Sequence, residues 1–184
     1  MTRNVFLGFA VAATACLATG ALASEWQVAE GMGSVQFTAV QQGTKFTGRF
    51  EKFTANINLD PKTVESGSIV GTVETSSVNT RDHDRDSTLV DGDWFDSTNH
   101  PDARFESTSI AKTDAGYRAE GTLTIKGTSK PAVMNFTFEA ADSTATFKGM
   151  LTINRFDFKV GEGWNDTSWV GQNVDVQINL ALTR

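Results

Sequence analysis

The sequence predicts an all-β fold, a single antiparallel meander of about eight strands. Three observations predict it. Apolar and polar residues alternate with a period of two along most of the chain from residue 35 onward, the pattern of strands with one face on a core and one in water. Turn-forming clusters fall between the alternating runs: "GMGS", "QQGT", "DPKTVESGS", "KTDAG", "KGTSKP" and "AADST". Residues 24–184 hold 21 Thr and 11 Phe but only 6 Leu, a composition suited to pleated, half-buried surfaces.

Taken in order, "SVQFTAV" places Val35, Phe37 and Ala39 on one face, and "KFTGRF" does the same with Phe46, Gly48 and Phe50. "FTANINL" sets Phe53, Ala55, Ile57 and Leu59 inward. In "IVGTVETS" the inner set is Ile69, Gly71 and Val73. "YRAEGTLTIK" offers Tyr117, Ala119, Gly121, Leu123 and Ile125; "AVMNFTFEA" offers Met134, Phe136 and Phe138. "ATFKGMLTI" contributes Phe147, Gly149, Leu151 and Ile153. "NVDVQINLAL" closes the series with Val174, Val176, Ile178, Leu180 and Leu182. Such a sheet has two open edges unless it closes into a barrel or folds into a sandwich, and periodicity alone does not choose. Small residues on the apolar face (Gly48, Ala55, Gly71, Ala119, Gly121, Gly149) read equally as room inside a barrel or as bends where strands coil.

The N-terminus has a different character. Arg3, an apolar run from Val5 to Ala18, and small residues at Ala21 and Ala23 form the pattern of a secretory signal peptide at residues 1–23, leaving a domain at 24–184. The run of about fourteen residues is shorter than the roughly 20 of a membrane-spanning helix. Cys16 in "ATAC" is followed by more small apolar residues rather than by a polar tether, which argues against lipidation. The remainder has no cysteine and depends on its hydrophobic core. With 15 basic against 22 acidic residues it carries a charge of −7, which argues against nucleic acid and against a polybasic grip on anionic lipid. No segment after residue 24 is long and apolar enough to span a bilayer.

One stretch stands apart. "NTRDHDRDSTLVDGDWFD", residues 79–96, holds six Asp, two Arg and one His. Asp82, Asp84, Asp86 and Asp93 match places one, three, five and twelve of a calcium loop. However, Ser87 stands where the turn wants glycine, Asp93 is a methylene shorter than the usual Glu, and Arg85 already supplies positive charge inside the loop. Catalysis has little to draw on: two histidines, no cysteine after residue 23, no G-x-S-x-G and no H-E-x-x-H. No catalytic residue and no metal ligand is therefore assigned. The remaining reading is a short helical crossover near residues 80–96. Asn79 or Thr80 would cap it, Asp82 would pair with Arg85, and Leu89, Val90 and Trp94 would lie on the barrel.

These residues also carry a family resemblance. "TSSVNTRDHDRDSTLVDGDWFDSTNHPDARFEST" resembles the signature of the YceI-like periplasmic polyisoprenoid-binding proteins, through Ser77, Val78, Thr80, Arg85, Asp86, Leu89, Trp94, Phe95, Pro101, Ala103 and Phe105. "GTLTIKGTSKPAVMNFTF" is similar to a second family segment, "INRFDFKVGEGWNDTSWVGQNVDVQINLALTR" to the closing one, and "WQVAEGMGSVQFTAVQQGTKFTGRFEKF" to the opening. The likeness spans Trp26 to Arg184. It implies an extended lipocalin-like barrel, periplasmic and non-enzymatic, that needs no cofactor and holds an isoprenoid lipid such as a polyprenyl or quinone tail. The expected lining is Phe37, Phe46, Phe50, Val73, Phe105, Leu123, Ile125, Phe136, Phe138, Phe147, Leu151, Val176 and Ile178. Arg85 and Asp86 are expected to form an ion pair that holds the crossover, with a contact to a ligand head group as the alternative, and Leu89 and Trp94 are expected to pack beneath. Two alternatives remain: a calcium-binding module, or a solid-cored scaffold that meets a protein partner such as a membrane electron-transfer component.

Overall fold

The computed structural model describes residues 25–184; the expected export signal at 1–23 lies outside them. Among the described residues the strands are β1 (Glu25–Gln41), β2 (Thr44–Phe50), β3 (Phe53–Asn58), β4 (Ser68–Glu74), β5 (Val78–Asn79), β6 (Asp102–Thr113), β7 (Gly116–Ile125), β8 (Thr128–Ala141), β9 (Thr144–Asn154) and β10 (Asn173–Thr183), with one α-helix, α1 (His83–Val90). Every pairing is antiparallel. Following the hydrogen bonds from β1 through β10, β9, β8, β7, β6, β4 and β3 returns to β1, so eight strands close a barrel. Periodicity left this choice open, and long-range pairing of the first strand with the last makes it.

β1 is longer than its alternation suggests. "GMGS" is a bulge inside the strand rather than a turn: Gly31 sits at φ +70°, and the register against β10 slips between Val28 and Gly33. Below the bulge Trp26 pairs with Ile57 of β3; above it, Val35 to Gln41 pair with β2, which in turn pairs with the two-residue β5. β6 is a full strand that alternation did not reveal. Its register against β7 slips between Ser107 and Ser109, so the inward set Ala103, Phe105, Ser107 resumes at Ile110 out of phase.

The strand directions sort the connections by end. The turns at 113–116 and 141–144 lie at one end, the base. The crossover at 75–101 and the segment at 155–172 lie at the other, the mouth. α1 therefore sits at the mouth. Its N-cap is Asp82, whose carboxylate accepts from the Arg85 backbone N–H at 3.1 Å, rather than Asn79 or Thr80. The helix ends at Val90, so Trp94 reaches the barrel from the following turn and not from a helical stripe.

Candidate functional site

The interior is unevenly filled. At the base, Trp26, Ile57, Leu59, Val64 and Leu182 have essentially no exposure. The Trp26 ring meets Phe138 edge-on at 5.6 Å and its Nε1–H donates to the Leu59 carbonyl at 2.8 Å. Phe136 stacks between Tyr117 (5.4 Å) and Phe147 (5.0 Å). This aromatic plug closes one end of the barrel.

Above it lies a cavity of about 500 Å³, floored by Met134, Phe147 and Leu180 and walled by aliphatic and aromatic side chains. A volume of that size falls in the ~300–1,000 Å³ typical of small-molecule sites. Along β10 the lining runs Val174, Val176, Ile178, Leu180. That is six residue steps, or about 20 Å along the strand. The shape is a blind apolar tunnel that opens at the mouth.

Two devices build the mouth. The first is α1. Asp86 turns back to accept from the Thr80 N–H and hydroxyl at 2.8 and 2.6 Å, fixing the start of the crossover. Arg85 lies over the Phe46 ring, 4.2 Å from its centroid. It pairs with Asp82 at 3.3 Å, and its Nε donates to Gln41 Oε1 at 3.1 Å. The expected Arg85–Asp86 pair is thus not made, because neighbours in a helix point about 100° apart. Arg85 is paired by Asp82 instead, and the Asp86 carboxylate is held by hydrogen bonds from Thr80. Leu89 and Trp94, both buried, line the cavity from below the helix. With Asp82 and Asp86 committed in this way, the calcium pattern does not converge: no cluster of three acidic, His or Cys side chains forms among the described residues.

The second device is Arg155, which begins the segment that follows β9. It is 3% exposed and faces no carboxylate among the described ion pairs. Its five N–H groups go to five main-chain carbonyls: Nε to Gly171, Nη1 to Val160 and Gly161, Nη2 to Trp164 and Val170. Burial pulls its pKa below the ordinary guanidinium value. A planar five-donor fork is the one side chain that can satisfy so many carbonyls at once. The loop is further tied to the barrel by Gln42 N–H to the Trp169 carbonyl (2.8 Å) and Gly171 N–H to the Val40 carbonyl (2.9 Å). Sequence reasoning passed over Arg155 as part of a motif. An arginine directly after a strand in a glycine-rich segment was the available signal.

Of the thirteen residues expected at the lining, the structure brings together Phe37, Phe46, Phe50, Val73, Phe105, Leu123, Ile125, Phe147, Leu151, Val176 and Ile178 around the cavity. Phe136 and Phe138 are not there. They lie lower on β8, in the plug, because alternation reports which face a residue takes and not its height along the barrel. The inward glycines also divide. A Cβ on Gly48 would run into the Phe37 ring, on Gly121 into the Glu106 carbonyl and the Phe105 ring, and on Gly149 into Met134 Sδ at 2.9 Å. These three make room for neighbouring side chains. Gly71, with nothing within 4 Å of its would-be Cβ, opens onto the cavity.

Comparison with known proteins places this architecture. The YceI-like domain matches residues 26–182. A UPF0312 protein of Pseudomonas putida is 31% identical, over 98% of this chain and 97% of its own. Among solved structures, Burkholderia cenocepacia BcnA superposes with a TM-score of 0.77 at 32% identity, covering 81% of this chain and 95% of that one. A polyisoprenoid-binding domain from Saccharophagus degradans, implicated in plant cell wall breakdown, has the same fold at 16% identity: TM-score 0.65, with 89% of this chain and 99% of that one covered. A matched domain that runs from Trp26 in the plug to Leu182 on the closing strand takes in the barrel, the crossover and the Arg155 loop together: the chain belongs to the YceI-like family.

Proposed function

We propose that this protein is a non-enzymatic, exported carrier that holds the hydrocarbon tail of an isoprenoid lipid, polyprenyl or quinone-like, in the barrel cavity. The observation that carries the reading is the blind apolar tunnel of about 500 Å³, plugged at the base and open at the mouth. Burying hydrocarbon contributes roughly 0.8 kcal/mol per CH₂, so three prenyl units supply on the order of 10 kcal/mol before the cost of ordering the tail. Apolar walls alone thus bring useful affinity within reach. A branched, flexible tail also suits walls made of Phe, Val, Ile and Leu with no directional polar group at depth. The Saccharophagus degradans domain of the same fold, described as polyisoprenoid-binding, lends support to the ligand class, and the export-signal pattern at residues 1–23 supports the exported, periplasmic part of the proposal.

The test is extraction. Protein expressed with its leader in a bacterial host and purified without detergent is extracted with organic solvent and analysed by mass spectrometry. A stoichiometric prenyl lipid is expected. An empty extract, together with no change in tryptophan fluorescence on titration with prenyl lipids, would overturn the reading.

A further inference from the structure

Among the described residues, four charged side chains line a largely apolar cavity: Asp82, Asp84, Arg85 and Arg155. Arg155 has no donor to offer a ligand, since all five of its N–H groups are taken by carbonyls. Arg85 is different. A guanidinium carries five N–H donors. Two of them are engaged, one by Gln41 and one by Asp82, and among the described residues none accepts from the other three. Its side chain is 22% exposed, at the junction of cavity and solvent. Phe46 supports its plane and Gln41 and Asp82 hold its edge, so it is ordered before any ligand arrives.

We propose that Arg85 is the head-group donor of this site and that the head it takes is neutral, a carbonyl or hydroxyl oxygen, rather than a phosphate. The assignment rests on the tail-holding reading and adds the polar end of the ligand to it. A tail seated on Phe147 and Leu180 leaves its head at α1, the only part of the wall where a cationic donor with free N–H groups stands among the described residues. The preference for neutral heads comes from charge. Asp82 already balances Arg85 at 3.3 Å. A phosphate would meet that carboxylate beside a cation it already shares, and like charges this close repel. A ketone or alcohol accepts from the spare N–H groups without displacing Asp82.

Four probes with the same fifteen-carbon tail read this directly: farnesene, farnesol, farnesyl acetone and farnesyl diphosphate, titrated against wild type, Arg85→Met and Arg85→Lys with calorimetry or tryptophan fluorescence. Wild type should bind farnesyl acetone and farnesol about tenfold more tightly than farnesene, the worth of one hydrogen bond from a charged donor. It should bind the diphosphate less tightly than the ketone. Arg85→Met should erase the advantage of the oxygenated heads over farnesene. Arg85→Lys, which keeps the charge but loses the planar fork, should lie between and guards against a methionine variant that folds poorly. An equal loss for all probes in both variants, or a wild-type preference for the diphosphate, would overturn the assignment while leaving tail binding intact. Wild-type protein that binds none of the four would sink the tail-holding reading, and this assignment with it.

Discussion

The two ends of the barrel are made of the same alternating strands and are filled in opposite ways. β10 crosses both. Its inward residues Val174, Val176 and Ile178 are only partly buried, because they face the cavity, whereas Leu180 and Leu182, on the same face, are almost fully buried. The change falls where Phe147, Phe136 and Trp26 fill the barrel. Stability is therefore concentrated at the base and binding capacity at the mouth, and a residue's contribution follows from its height along the axis.

The sharpest way to break that contrast is to truncate one residue at each end. Trp26→Ala should lose about 3–5 kcal/mol, from the cavity it leaves and the orphaned Leu59 carbonyl. Val176→Ala, whose methyls already face open space, should lose about 1 kcal/mol or less. Urea unfolding followed by far-UV circular dichroism measures both, and equal losses would mean that the mouth is packed like the base.

Filling the hollow half comes next. Gly71→Leu places four carbons where nothing lies within 4 Å of the new Cβ. Displacing as many ligand carbons, at roughly 0.8 kcal/mol each, should weaken prenyl-lipid binding about 100-fold. The unfolding midpoint should hold or rise, since a glycine leaves the middle of a strand. A drop in stability with binding intact would place Gly71 in packed core. Arg155→Leu should have a smaller effect, read locally. Five carbonyls lose their donor, but the 155–172 segment can turn them to water, so the loss should be about 2 kcal/mol. It should appear as faster hydrogen exchange at the Gln42 and Gly171 amides, with the Trp26 region unchanged.

The smallest effect concerns pH. The Ser168 hydroxyl and backbone N–H lower the pKa of the exposed Asp166 carboxyl on the mouth loop. A carboxyl depressed in the folded state adds stability that is present above the ordinary carboxylate range and is lost as pH falls through the lowered value. The emission of Trp164 and Trp169, both about half exposed, should shift in acid, and Asp166→Asn should flatten that shift.

Much of the fold was legible in the residues. Period-two alternation located β2, β3, β4, β7, β8, β9, β10 and the upper part of β1 through their inward sets, and the charged stretch announced a helical crossover. What escaped did so for local reasons. The β6 alternation is broken by its own bulge at Ser107–Ser109, and the bulge at Gly31–Gly33 disguised the length of β1. Asp82 took the cap expected of Asn79 or Thr80, a matter of one turn's geometry. At the site, a pattern with a period of two carries no coordinate along the barrel, so Phe136 and Phe138 looked like Phe147 until the tertiary structure gave them a height.

The sequence by itself determined the strands, their inward faces and the chemistry available to them, because side-chain alternation is a property of one extended chain in contact with water. Only the tertiary structure decided that the sheet closes, that aromatic rings fill one half and leave the other hollow, and that Arg85 keeps spare donors while Arg155 keeps none. Those outcomes depend on residues far apart in sequence arriving at the same height: Trp26 beside Phe138, Gln41 beside Arg85, the carbonyls of 160–171 around one guanidinium. Packing and hydrogen-bond satisfaction are settled among such neighbours, and no local pattern encodes them.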